Sequence, residues 1–327
     1  MDRRRFLIAS TGTILSTALE AQQPGKLYRI GYLSTPSRDS VQRALEAFLR
    51  KLRELGWIEG QNLTIEYRWA EGDVERLPGL AADLVRRNVD LIVAPAASAA
   101  LAAKKATSAI PIVMMFPTDP VALGLVASLG RPSANVTGTT YAPGSGILAK
   151  QLELLKEAVP RATRVAVLIN PADPGDTSPK GEALEAAAHA LQIRLQPIEA
   201  RGPENFEPAF AAMTRERADA LIGSGSSTWI VHRLRLAELA IKARLATMYG
   251  YREMVEGGAL LAYGVNMVDF IGRAASYVDK ILRGAKPADL PVEQPTTFEL
   301  VINLKTAKTL GLAIPPGLLL RADDIIR

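Results

Sequence analysis

The residues able to do chemistry in this chain stand where short apolar runs end. Ser34 and Thr35 follow the run 28–33, Pro95, Ala96, Ala97 and Ser98 follow 90–94, and Thr118 and Asp119 follow 112–116. Farther along, Asn170 and Asp173 follow 164–169, Ser224 and Ser226 follow 220–223, Tyr249 closes 245–249, and Asn266 comes just after 259–263. Hydroxyls, amides and isolated carboxylates of this kind suit recognition of a small polar molecule better than bond making. An activated nucleophile needs a base beside it, and the two histidines, His189 and His232, both fall in helical stretches. Cysteine is absent, which removes thiolate nucleophiles, disulfides, iron–sulfur clusters and Cys-ligated zinc together. The expectation is a site without catalytic residues, metal or cofactor.

Several of these positions carry two readings. A helix pattern over 98–106 places free backbone N–H groups where they can hold a carboxylate, with the Ser98 hydroxyl assisting, yet Ser98 also suits plain N-capping. Asp119 either meets a ligand ammonium or caps a helix over 120–129. The stretch Gly223-Ser224-Gly225-Ser226-Ser227-Thr228 looks like a phosphate cradle but lacks the lysine of a P-loop and the third glycine of a dinucleotide fingerprint. Small residues there let a ligand approach the backbone, or simply start a helix. Tyr141, Tyr249, Tyr251 and Tyr263 offer rings that can both stack and hydrogen-bond. Trp57 and Trp69 read as packing residues, whereas Trp229 is placed to reach a cleft.

The elements that must position these residues alternate. Strand patterns at 28–33, 63–69, 90–94 and 112–116 are separated by amphipathic helices at 41–55, 74–87 and 98–106, the first ending at Gly56. The rhythm restarts with helix 146–158 and strand 164–169, then 181–191, 193–198, 205–216, 220–223, 228–243, 245–249 and 259–263. Such alternation requires mainly parallel sheets covered by helices. The Gly- and Thr-rich stretch 135–146 reads as a first crossing between two units, helix 268–283 and the turn 286–291 as the second and third, and 298–302 as an added strand. The expected division is a lobe of 27–140 plus 266–290 and a lobe of 141–265 plus 291–327, joined by hinges at 138–146, 264–268 and 291–297, a reading that rests as much on the family resemblance given below as on the pattern; the alternative is two independent domains on one linker.

Composition agrees with two such lobes. The 327 residues are 48% hydrophobic and 22% charged, the ordinary range for globular chains, and suffice for about two cores. No uninterrupted run of 18 apolar residues occurs, which argues against a polytopic membrane protein. A net charge of +5 and 6% aromatic residues show none of the clustered cations and rings of a nucleic-acid groove. The opening Met1-Asp2-Arg3-Arg4-Arg5-Phe6-Leu7-Ile8, running through small residues to Ala21, has the layout of a secretory signal peptide over 1–21 and also fits a twin-arginine pattern. The expected workplace is the periplasm, without a lipid anchor.

Long motifs along the chain resemble a known family. They include Ile30-Gly31-Tyr32-Leu33-Ser34, Leu55-Gly56-Trp57-Ile58-Glu59-Gly60-Gln61-Asn62-Leu63, Tyr67-Arg68-Trp69-Ala70-Glu71-Gly72, Asn135-Val136-Thr137-Gly138, and Glu299-Leu300-Val301-Ile302-Asn303-Leu304-Lys305. Together they resemble the ABC-transporter substrate-binding proteins of the tryptophan/tyrosine type. The resemblance implies a type I periplasmic-binding-protein fold, two Rossmann-like three-layer α/β/α lobes that close on a small organic solute, an aromatic amino acid or related acid. It also implies delivery to the permease subunits of an ABC importer by a monomer. Two other uses of such a scaffold are a ligand sensor for a membrane signalling protein and a hydrolase or transferase using Asp119 or Asp173 with a serine.

Overall fold

The computed structural model describes residues 26–117, 119–132, 134–140, 146–173, 182–226 and 228–327. The expected signal peptide at 1–21 and two candidate site residues, Thr118 and Tyr141, lie outside the described residues.

The first sheet contains β1 (Tyr28–Ser34), β2 (Leu63–Trp69), β3 (Leu91–Ala94), β4 (Ile112–Met114) and β5 (Val136–Gly138). They are parallel throughout, in the order β2-β1-β3-β4-β5. The second contains β6 (Arg164–Ile169), β7 (Arg194–Glu199), β8 (Ala220–Gly223), β9 (Ala246–Tyr249), β10 (Leu261–Gly264), β11 (Glu299–Asn303) and β12 (Asp324–Ile326), in the order β12-β11-β10-β9-β8-β6-β7. Only the β10–β11 pairing is antiparallel. Without its last two strands the second sheet repeats the order of the first. In each, the connections reverse direction beside the first strand, between β1 and β3 and between β6 and β8. Ligands of open parallel sheets bind beyond the strand C-termini at that point.

The helices flank these sheets: α1 (Gln42–Glu54), α2 (Leu77–Arg86) and α3 (Ala97–Ala106), then α4 (Gly146–Ala158), α5 (Glu182–Ala190), α6 (Phe206–Arg215), α7 (Thr228–Val231), α8 (Arg233–Lys242), α9 (Arg252–Glu256), α10 (Met267–Leu282), α11 (Leu304–Leu310) and α12 (Pro316–Leu320). Parallel strands covered on both faces are apolar almost without interruption, and β3 is accordingly buried at all four positions. On α1 the buried residues Ala44, Leu45, Phe48 and Leu52 recur at helical spacing. That face meets α10, which also touches β3, β4 and β5, so the helix after β10 returns to the first sheet. Beyond it the chain pairs beside β5, where Glu293 N–H donates to the Gly138 carbonyl at 3.0 Å, and then enters the second sheet as β11. One buried apolar cluster includes Tyr32 and Phe48 of the first lobe together with Phe206, Trp229 and Tyr251 of the second.

Two sequence expectations are corrected. Residues 120–129 form turns, not a helix; Asp119 holds the Val121 and Ala122 N–H groups, and Gly124, at φ 65°, stops the chain from continuing. The helix expected over 228–243 breaks at His232 into α7 and α8. The segments forming α9, α11, α12 and β12 are too short for their periodicity to stand out.

Candidate functional site

Between the lobes lies a partly enclosed cavity. Its walls are the two reversal points just described. The first lobe contributes Ser34 at the end of β1 and Pro36 beyond it, then Pro95, Ala96 and Ala97 after β3. From the second come Asp173 after β6 and Gly225 after β8. Tyr32, Phe116, Tyr251 and the aliphatic Val41, Ala44, Ile230 and Ile271 line the remainder. Asp173 is the one charged residue among the described residues that line it.

Hydrogen bonds among side chains hold the second lobe's wall. Asp173 is 5% exposed and accepts from the Ser226 hydroxyl at 2.9 Å. Asn170 donates from Nδ2 to Thr228 Oγ1 at 3.1 Å and, more weakly, to Ser226 Oγ at 3.4 Å, while its Oδ1 accepts from the Ala172 N–H. A buried carboxylate is costly unless polar partners surround it, and this network supplies them. Gly223, the last residue of β8, makes room for the Tyr249 ring, because a Cβ there would stand 2.0 Å from it. Tyr251 completes the wall, its hydroxyl donating to the Gly225 carbonyl at 3.2 Å.

Backbone forms most of the first lobe's polar wall. α3 starts at Ala97 after an N-cap, Ala96, that has no side-chain capping bond. The first N–H groups of a helix have no partner inside it and carry the positive end of its dipole. Ser98 is thus the second residue of the helix and not its cap, and its hydroxyl pairs with Thr35 Oγ1 at 3.0 Å. Phe116 lies in the left-handed region at φ 62°, a conformation that costs a non-glycine residue about 1–2 kcal/mol. The strain accompanies the ring's place in the cavity, where it also meets Phe270 at 5.6 Å.

The chain matches the family described as ABC transporter substrate binding protein over residues 30–326. It belongs to that family. A tyrosine-binding protein of Clostridioides difficile is 26% identical over 289 residues, 88% of this chain and 82% of the relative. Among solved structures, a conserved domain protein from Vibrio cholerae is 28% identical with a TM-score of 0.85, covering 92% of this chain and 100% of that one. An ABC domain from Streptococcus pneumoniae in complex with L-Trp is 26% identical with a TM-score of 0.84, covering 91% and 99%. This substrate-binding protein therefore has the two-lobed type I periplasmic-binding-protein architecture and serves an ABC transporter by binding a small molecule. Proteins of this kind work outside the cytoplasm.

Of the candidate residues read from the sequence, the substrate-binding protein brings Ser34, Ala97 and Asp173 to the cavity surface, with Thr35, Ser98, Asn170 and Ser226 bonded as described. The remainder lie elsewhere. Asp119 serves its turn. Ser224 accepts from Trp229 Nε1 at 3.3 Å, and Trp229 itself is fully buried core and not a cleft ring. Tyr249 is buried with its hydroxyl unpartnered, and burial pushes its pKa above the usual phenol range. Asn266 donates to Glu299 at 3.0 Å beside the passage from β10 to α10. Val41, Ala44, Ile230 and Ile271 escaped notice because helix-face aliphatics look the same in sequence whether they face a core or a cavity.

The lobes also touch outside the cavity. Arg43 of α1 pairs with Glu256 of α9, and Gly72 packs against Thr228 and Val231 of α7. Beyond that contact a groove of about 460 Å³ is lined by Glu71, Asp73, Glu75, Arg201, Glu204 and His232.

Proposed function

We propose that this substrate-binding protein captures an aromatic α-amino acid between its lobes and presents it to the permease of an ABC importer. One observation carries the reading: a cavity that is apolar and aromatic over most of its surface has a carboxylate, Asp173, on one wall and the uncapped start of α3 on the other. A ligand ammonium pairs with Asp173 and a ligand carboxylate with the N–H groups of Ala97 and Ser98. Tyr32, Phe116 and Tyr251 enclose the ring. The tyrosine-binding relative and the L-Trp complex support the same chemistry.

In this reading the lobes are 27–140 with 266–290, and 141–265 with 291–327. They close about the three passages because a ligand touching both walls binds the closed form better. The protein is a periplasmic monomer exported by the segment 1–21, and it releases its ligand unchanged. Isothermal titration with L-tryptophan and L-tyrosine, paired with small-angle scattering, tests this. The expected result is one ligand per chain, recovered intact, with a smaller radius of gyration when bound; failure of both amino acids to bind would overturn the assignment.

A further inference from the structure

The two walls of the cavity are joined by a series of polar contacts that passes from one lobe to the other. It starts at Asp173, runs through Ser226 to Asn170, and reaches Thr228 Oγ1. That hydroxyl lies 3.5 Å from the Gly72 carbonyl of the opposite lobe, a long contact with room to shorten. The Gly72 N–H in turn donates to the Thr35 carbonyl at 2.7 Å, and Thr35 Oγ1 pairs with Ser98 at the start of α3. Gly72 takes φ 86°, which glycine adopts without strain, and an added Cβ would sit 3.5 Å from the Val231 methyls. The turn is therefore shaped to lie against α7. The series crosses between lobes at one hydroxyl, on the border between the enclosed cavity and the acidic groove outside it.

We infer that Thr228 is a positioning residue that couples the two ends of an amino-acid ligand: its contact with Gly72 tightens only when an ammonium at Asp173 and a carboxylate at α3 are held together. The inference rests on the amino-acid reading above. A ligand with one of the two groups orders one wall and leaves the Thr228–Gly72 contact long. A ligand with both draws the walls together and lets the Thr228 hydroxyl close on the Gly72 carbonyl. Thr228 thus contributes to discrimination without touching the ligand.

The test uses Thr228→Val, which keeps the shape and removes the hydroxyl, and Thr228→Ser, which restores it. Each is titrated with L-tryptophan, tryptamine and indole-3-propionate. The expected result is an affinity for L-tryptophan lower by about ten-fold in Thr228→Val, the loss of about one hydrogen bond. The two half-ligands should change by less than about two-fold, and Thr228→Ser should bind all three as the unsubstituted protein does. Equal losses for all three ligands would reveal a merely structural residue and overturn the coupling, as would no loss for any. If the unsubstituted protein binds neither L-tryptophan nor L-tyrosine, the amino-acid reading fails and the coupling with it; if it binds and Thr228→Val matches it, the coupling alone fails.

Discussion

The two lobes share one strand order yet build opposite kinds of wall at the same topological position. After β3 the first lobe exposes small residues and bare peptide N–H groups, and none of its described residues on the cavity carries a charge. After β6 and β8 the second lobe presents a carboxylate embedded in a network of Asn170, Ser226 and Thr228. Duplicated architecture therefore supplies two recognition surfaces of opposite polarity, one electropositive through its backbone and one electronegative through a side chain. Helix dipoles act without a change of protonation, whereas a carboxylate depends on its partners for both position and charge.

That difference is best broken at its charged side. Asp173→Asn keeps the size of the side chain and its hydrogen bonding with Ser226 but leaves a ligand ammonium without its counter-ion in an enclosed site. Losses of about 2–5 kcal/mol accompany removal of one partner from a buried charge pair, so the affinity for L-tryptophan or L-tyrosine should fall by about 30-fold or more in a calorimetric titration. Tryptamine should suffer alike and indole-3-propionate should not. An unaltered affinity for the amino acids would show that the ammonium lies elsewhere.

On the backbone side a gentler intervention is available. Proline is accepted at the first position of a helix, and the residue before it must be extended, as Ala96 is at φ −159° and ψ 156°. Ala97→Pro thus removes one N–H from the proposed carboxylate site while preserving α3. About a ten-fold loss of affinity is expected for amino acid and indole-3-propionate, with tryptamine unaffected and the melting temperature held within about a degree of the parent. If all three ligands bind as before, the start of α3 does not hold the carboxylate.

How far the site was legible follows from the same contrast. Position after a strand could be read from hydrophobic periodicity, and it led to Ser34, Ala97, Asn170, Asp173 and Ser226 without knowledge of the fold. What a polar side chain does at such a position depends on distant neighbours. Asp119 and Asp173 are both acids placed just after apolar runs, but the first accepts two N–H groups of its own turn and the second meets Ser226, 53 positions onward. Trp229 seemed to face a cleft because it starts a helix, yet its ring packs against Phe206, and its N–H goes to Ser224. The alternation of strands and helices conveyed two parallel sheets. It could not convey the turn at 120–124, where the two bonds to the Asp119 carboxylate and a left-handed glycine outweigh the apolar residues that follow.

The smallest effect extends the comparison to the groove outside the cavity, where the second lobe again carries the titratable ring. His232 stands at the α7–α8 break, edge-on to Phe206 at 5.4 Å, and burial holds its pKa below the ordinary histidine value while Glu204 opposes that shift. Because the folded protein resists the imidazolium, the unfolded chain takes up this proton first as pH falls below about 6.5. The stabilising contribution of neutral His232 is then present above that pH and is lost as pH falls through its lowered folded-state value. His232→Phe retains a ring against Phe206 and has nothing to protonate, so its melting temperature should decline less between pH 7 and pH 5 than that of the parent. The two curves should therefore separate first near pH 6 and run parallel once the imidazole is charged in both the folded and the unfolded protein. Curves parallel from the start would place the pH sensitivity outside this groove and deny the second lobe its distinct role there.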